Sequence, residues 1–423
     1  MKTLALVLLS FFSAQVWAQS VKSNSDVVTF TALEDLVKNK NEKVQAAESE
    51  ALGAKARTGF TSRSFLPGFS LRGGSESAKF GSSDVEQRGF WTAEAKLNLY
   101  RGGRDKLEGE IREAQFKSAQ IGAQKQMQSE LRDARKLYWQ LVSAQNLISD
   151  IEDAIKGNTE NLQSSRRRVG AGVTTNADVL QFELENTALN QQLKKLKLEA
   201  DFLKNKLGVI IGFDQHKDLN VESTFPHPPD ESLPKDSAEG GSRNLYVADF
   251  QINETIQNLR KSQAARWWLP SLDVYTSFGR PSLSYNDFRA LDRQDQWIAG
   301  VQLSISLDQA LEDMASSRAQ KFEAKSASLQ KIYASKQSNA TYHEYVHDLN
   351  LLHELLHDAQ KDVEKANNFL KATKQDYVRG VKNGPDLLGA FARYYEFRTR
   401  KNDLYRAFHE TKADFDFHLA STQ

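Results

Sequence analysis

The chain contains no cysteine. Disulfides, thiolate metal sites and lipid attachment through a cysteine at a processed N-terminus are therefore excluded. Proline is scarce, 8 in 423 residues, so long stretches run without a strong helix breaker. No charge of one sign dominates: Lys plus Arg number 56 and Asp plus Glu 55. That balance gives no basis for a nucleic-acid partner. Beyond the first residues there is no apolar run approaching the ~20 residues of a membrane-spanning helix. Hydrophobic residues make up 39%, below the globular norm of roughly 45–50%, which suggests long helices with narrow apolar seams rather than a thick core.

What is present starts with an export signal. Lys2 supplies the positive end, Leu4 to Phe12 the apolar run, and Val16-Trp17-Ala18 a cleavage site before Gln19. That pattern predicts a signal peptide over 1–18.

The remainder reads as two repeats. The first, 19–212, opens with a helical pattern from about Leu33 to Arg63, stopped by Phe65-Leu66-Pro67. Strands are expected at about 66–78 and 89–99, with a polar loop over Ser75–Arg88. Along the second strand Trp91, Ala93, Ala95, Leu97 and Leu99 face one way, and Thr92, Glu94, Lys96 and Asn98 the other. Such alternation marks a sheet with one apolar and one polar face. After Arg101-Gly102-Gly103-Arg104 comes a long helix whose seam (Leu137, Leu141, Ala144, Ile148, Ile151, Ile155, Leu162) keeps coiled-coil spacing. It ends at a turn over 169–175, and Leu189, Leu193, Leu196, Ala200, Leu203 and Leu207 continue the seam in a returning helix.

Residues 213–241 hold half of the prolines and read as a linker. The second repeat, 242–423, reproduces the order. Trp268-Leu269-Pro270 answers Phe65-Leu66-Pro67, strands follow at about 270–279 and 295–307, and a second long helix carries the seam Tyr342, Tyr345, Leu349, Leu352, Leu356, Ala359, Val363, Ala366 and Leu370. Its turn lies at 380–385. Gly172 and Gly380 each stand six residues before an Asp followed by two apolar residues. Helices of ~65 residues reach about 100 Å, too long for a globular domain. Two-stranded hairpins with an apolar face cannot stand alone. A closed barrel shared between chains resolves both difficulties, because in a bilayer only helices and closed barrels satisfy the backbone.

The two Pro-initiated hairpins, Leu97-Asn98-Leu99-Tyr100-Arg101-Gly102-Gly103 at the strand-to-helix junction, and the two Gly–Asp-Val/Leu-Leu turns together resemble the TolC family of outer-membrane efflux ducts, over essentially the whole mature chain. The resemblance implies a mixed α and β membrane protein. Three copies, four strands each, would close a trimeric 12-stranded transmembrane β-barrel in the lipid of a Gram-negative outer membrane. A long α-helical coiled-coil barrel would continue it across the periplasm. It implies a passive duct without cofactor or metal. A periplasmic adaptor and an inner-membrane transporter would dock at the tips, on Val169, Gly170, Gly172, Val173, Gly380, Val381 and Gly384. It also implies a gate in which Tyr377 and Lys382 of the second tip bind Asp178 of the first. Asp386 matches the first of two pore aspartates of the family, while Gly389 stands at the second, which would leave one charged ring.

Two features invite other readings. His343-Glu344-Tyr345-Val346-His347 and His353-Glu354-Leu355-Leu356-His357 both match the HExxH pattern of zinc hydrolases. Both lie inside the heptad seam, no third ligand pattern follows, and the phase set by Tyr342 puts the four histidines outside the core. They read as surface histidines, open to adventitious metal. A structural periplasmic coiled-coil protein without a pore is the second alternative, and it leaves four alternating strands unexplained. The run Arg166-Arg167-Arg168 reads either as a partner-facing patch or as a solvated helix face.

Overall fold

The structure, a computed structural model, describes residues 27–78, 86–172, 175–213, 219–222, 224–226, 233–234, 244–280, 295–305 and 310–420. The expected signal peptide, Val173 and most of the linker lie outside these residues. In chain order the elements are β1 (Val27–Val28), α1 (Leu33–Lys40), α2 (Glu42–Ala56), α3 (Phe60–Ser64), β2 (Gly68–Ala78), β3 (Glu86–Arg101), α4 (Arg104–Gly170), α5 (Asn176–Ile210), β4 (Asn220–Val221), α6 (Leu245–Ala264), β5 (Ser271–Arg280), β6 (Gln296–Ser304), α7 (Ala310–Arg379) and α8 (Gly384–Leu419).

Helices α4 and α7 carry 67 and 70 residues, about 100 Å each at 1.5 Å per residue. Neither contains proline, and each is followed at its tip by a glycine with positive φ, Gly172 (73°) and Gly380 (81°). Helix α4 pairs with α5, and α7 with α8. Among the described residues no helix is long and apolar enough to cross a membrane.

The strands make one antiparallel sheet in the order β2-β3-β5-β6, so the hairpins of the two repeats join edge to edge. Register puts Leu71, Ala93, Phe278 and Trp297 in one row, and Phe69, Ala95, Thr276 and Ala299 in the next, all on one face. Among the described residues no layer covers that face: Phe69 is 80% exposed, Trp297 70% and Val301 68%. The opposite face carries Glu94, Lys96, Asp273, Ser277 and Gln302, with Lys96 and Asp273 paired at 3.1 Å. Both outer strands, β2 and β6, have one unpaired edge.

At the strand-to-helix junction Gly102 and Gly103 both take positive φ, 63° and 69°. A Cβ on Gly102 would sit 2.7 Å from that of Leu269. The first repeat's junction is thus fitted against the Trp268-Leu269-Pro270 turn of the second.

Three elements differ from the sequence expectation. The first helical pattern is three helices, because Asn41 leaves helical geometry to cap α2. Its Oδ1 accepts from Lys43 N at 2.9 Å and Val44 N at 3.1 Å, and Gly59 adopts φ 70° before α3. The Ser75–Arg88 loop is shorter than expected. Ladder pairing continues through Ser75↔Gly89 to Ala78↔Glu86, since backbone pairing does not need apolar alternation along the strand. The linker is partly folded. Its β4 pairs in parallel with β1, and Leu219 and Val221 are buried with Leu33, Val37, Tyr138, Leu141 and Leu207 in a belt core around α4. There Phe225, Trp139, His409 and Tyr405 form a stack, with Trp139 and His409 at 4.2 Å and Phe225 and Tyr405 at 5.4 Å between ring centroids.

Candidate functional site at the helical tips

The two tips meet because both hairpins are stitched by one small core. Leu162 of α4, Val179 and Phe182 of α5, Leu370 and Tyr377 of α7, and Leu387 and Ala390 of α8 are buried together. The paired apolar residues stand three apart on α5 and α8 and seven apart on α7, spacings that keep one face turned inward. Buried Asn158 holds α4 to α5 by donating to the Phe182 carbonyl at 2.8 Å and to Asn186 Oδ1 at 3.0 Å.

The start of α8 is strongly capped. Asn383 Oδ1 accepts from Asp386 N at 3.0 Å, Asp386 Oδ2 accepts from Asn383 N at 3.3 Å, and Pro385 occupies the first turn. This capping box satisfies two backbone donors reciprocally. Asp178 lies directly against this turn: a Cβ on Gly384 would be 3.0 Å from Asp178 Cγ and 3.2 Å from its Oδ1. Only glycine leaves room for the carboxylate there, and a carboxylate at a helix N-terminus is favoured by the helix dipole.

Within one chain the residues expected at the gate have the following neighbours. Asp178 contacts Gly384. Lys382 Nζ lies 4.0 Å from Asp386 Oδ2, an exposed i,i+4 pair. Tyr377 is buried, and its hydroxyl has no hydrogen-bond partner among the described residues. The expected bond from Tyr377 to Asp178 is therefore not formed in one chain, because the ring points into the tip core. What holds Tyr377 is Arg168. The guanidinium lies over the ring at 4.4 Å and donates from Nη1 to the Tyr377 carbonyl at 2.5 Å. In the sequence Arg168 is one of three consecutive like charges, with nothing local to single it out. The signal available was its place in the last turn of α4, where a cation satisfies terminal carbonyls, here those of the neighbouring helix. Arg166 is also engaged, with Glu183 at 2.7 Å. Of the expected docking residues, Gly170, Gly172, Gly380 and Val381 are exposed, Val169 packs against the tip core, and Gly384 is buried.

Chemically the tips form a non-covalent latch of charges and one aromatic ring. The HExxH segments fall in the middle of α7, with His343, His347 and His357 exposed and His353 half-buried. Among the described residues no group of three or more His, Cys, Asp or Glu is placed to hold a metal ion, so neither segment has the three protein ligands of a catalytic zinc site.

A sheet with one apolar uncovered face and one polar face, standing on helices of about 100 Å, defines an outer-membrane channel rather than an enzyme. The sequence profile of the outer membrane efflux protein family matches residues 33–211 and again 236–414, and the chain belongs to that family. It is an exit duct of the outer membrane. Among solved structures it resembles the outer-membrane channel OprN (TM-score 0.77, 16% identity, 93% of this chain and 90% of that one). It also resembles CusC (0.77, 13%, 95% and 96%) and the Campylobacter jejuni CmeC outer membrane channel (0.76, 14%, 99% and 94%). No curated protein matches it in sequence.

Proposed function

We propose that three copies of this chain close a 12-stranded barrel and a continuous helical tunnel. On this reading the protein is the outer component of a tripartite efflux or type I secretion assembly. The observation that carries this is the sheet with one lipid-compatible face, one polar face and two open edges, which no element among the described residues completes. The helices support it. Leu180, Leu184, Leu198 and Phe202 on α5, and Phe322, Leu329 and Tyr333 on α7, are exposed apolar residues at seam-like spacing. Soluble monomers rarely leave apolar surface of this extent uncovered, and neighbouring copies would cover it.

The tips are the proposed gate and docking surface. Asp178, Lys382 and Asp386 supply the charges at the constriction, with Tyr377 as the packed ring beneath them. Exposed Gly170, Gly172, Gly380 and Val381, with Val169, Val173 and Gly384, would meet the hairpin of a periplasmic adaptor, behind which an inner-membrane transporter loads the duct. Residues 1–18 would direct export and be removed before Gln19. The test is native mass spectrometry of the detergent-solubilised protein with conductance in planar bilayers. A trimer with a discrete conductance is expected. A monomer that remains soluble without detergent and conducts nothing would refute the reading.

A further inference from the structure

Four of the chain's 8 histidines stand on α7 as two copies of one arrangement, His343/His347 and His353/His357. The function of a duct does not use them. Residues four apart on a helix are neighbours on one face, with Cβ atoms about 5–6 Å apart. Two imidazoles at that spacing can reach one ion at the metal–nitrogen distance of about 2.0–2.1 Å. The buried face of α7 here is Tyr342, Val346, Leu349 and Leu356, packed with Phe408 and Phe415 of α8. The first histidine pair lies on the side away from α8, and the second flanks it.

Each pair also carries the same added carboxylate. His347 Nδ1 lies 3.5 Å from Asp348 Oδ1, and His357 Nδ1 lies 3.9 Å from Asp358 Oδ1. That carboxylate sets a negative charge beside each ring, which favours an approaching cation. The side chains of His347 and His357 are 77% and 67% exposed in the single chain, which leaves them open to an ion there. With two protein ligands the remaining positions fall to water, which suits a reversible site and not a hydrolytic one.

We infer that each His-x3-His pair on α7 is a surface binding site for one divalent ion of the imidazole-preferring class, Cu2+, Ni2+ or Zn2+. Hard cations such as Mg2+ prefer oxygen ligands and are excluded.

Untagged protein, stripped with a chelator and held in detergent, is titrated with Zn2+ by calorimetry, and with Cu2+ by electron paramagnetic resonance to count nitrogen ligands. Two ions per chain are expected, each Cu2+ with two nitrogens. His347→Ala should lose one ion, and His347→Ala with His357→Ala both, with helical circular dichroism unchanged. Mg2+ should give no heat. An unchanged stoichiometry in the double variant, single-nitrogen Cu2+ signals, or no binding in the parent protein would each overturn the assignment.

Discussion

Arg168 and Tyr377 are separated by 209 residues in sequence and stacked in space, guanidinium over ring at 4.4 Å, with the Tyr377 carbonyl accepting from the same guanidinium. This contact bolts the end of one long helix to the end of the other. A cation–π contact contributes about 0.5–2 kcal/mol, and a hydrogen bond from a charged donor about 1.5–3 kcal/mol. Arg168→Ala should therefore loosen the tips by a few kcal/mol locally, read as faster hydrogen exchange over 162–172 and 370–382 and as higher conductance. Arg168→Lys should recover little, since an ammonium does not reproduce the planar stack. Exchange rates unchanged in Arg168→Ala would remove the bolt.

Tyr377→Phe is expected to be neutral or slightly stabilising, because it removes a buried hydroxyl that has no partner among the described residues. Lys382→Ala should instead raise conductance, since it frees the Asp386 side of the constriction. Each exposed pair is worth only about 0–1 kcal/mol, so trimer stability should hardly change. Adding Asp386→Asn should lower cation preference. Single-channel recordings of the three variants separate the contributions of Tyr377, Lys382 and Asp386 to the proposed gate.

On the sheet, Val301→Arg places a charge on the uncovered apolar face. At mid-bilayer this costs roughly 2–4 kcal/mol per chain. Failure to insert is expected, seen as loss from the outer-membrane fraction. The polar-face variant Gln302→Arg should insert at parental levels, and equal insertion of both would contradict the assignment of faces.

Two glycine variants should move stability in opposite directions. Gly102→Ala meets Leu269 and must hold φ 63°, costing about 1–2 kcal/mol for the left-handed backbone alone. Gly122 lies within α4 with open space around a built Cβ, and Gly122→Ala should stabilise by about 0.5–1 kcal/mol. Denaturant midpoints of the two proteins test this.

His409, 8% exposed, has its pKa lowered to about 4, first by burial, against a backbone hydrogen bond with Pro226 that raises it, and with nearby Lys412 lowering it further. Its value in the unfolded chain is about 6.5. Between these values the unfolded chain binds more protons, so stability rises with pH there. The contribution is complete above about pH 6.5 and lost as pH falls toward 4, by roughly 3 kcal/mol. Urea unfolding at pH 7.5 and pH 5 should show the drop, and His409→Phe should flatten it.

The parts legible in the sequence are those set by local periodicity. Trp91-to-Leu99 alternation fixes a two-faced strand, and the 342–370 seam fixes a long helix, because each pattern arises from one element facing one surface. Arg168 was not legible: its partner lies in the other repeat, and an arginine in a last turn looks the same whether solvated or stacked. The first residues of β3, 86–88, were hidden because their pairing is carried by backbone rather than by apolar alternation. Asn41 was hidden because an N-cap inside a continuous polar pattern leaves the helical period undisturbed. Phe225 and the β4 pairing fell within a proline-bearing stretch, where spacing signals no element.

The two open edges of the sheet bear on biogenesis. In hydrocarbon an unpaired strand edge has no water to bond with, so a lone chain entering the bilayer would strand the donors and acceptors of β2 and β6. Insertion and oligomerisation must then be a single event, whose yield depends steeply on chain concentration at the membrane. A copy defective in β6 should poison its partners even when its own helices fold normally.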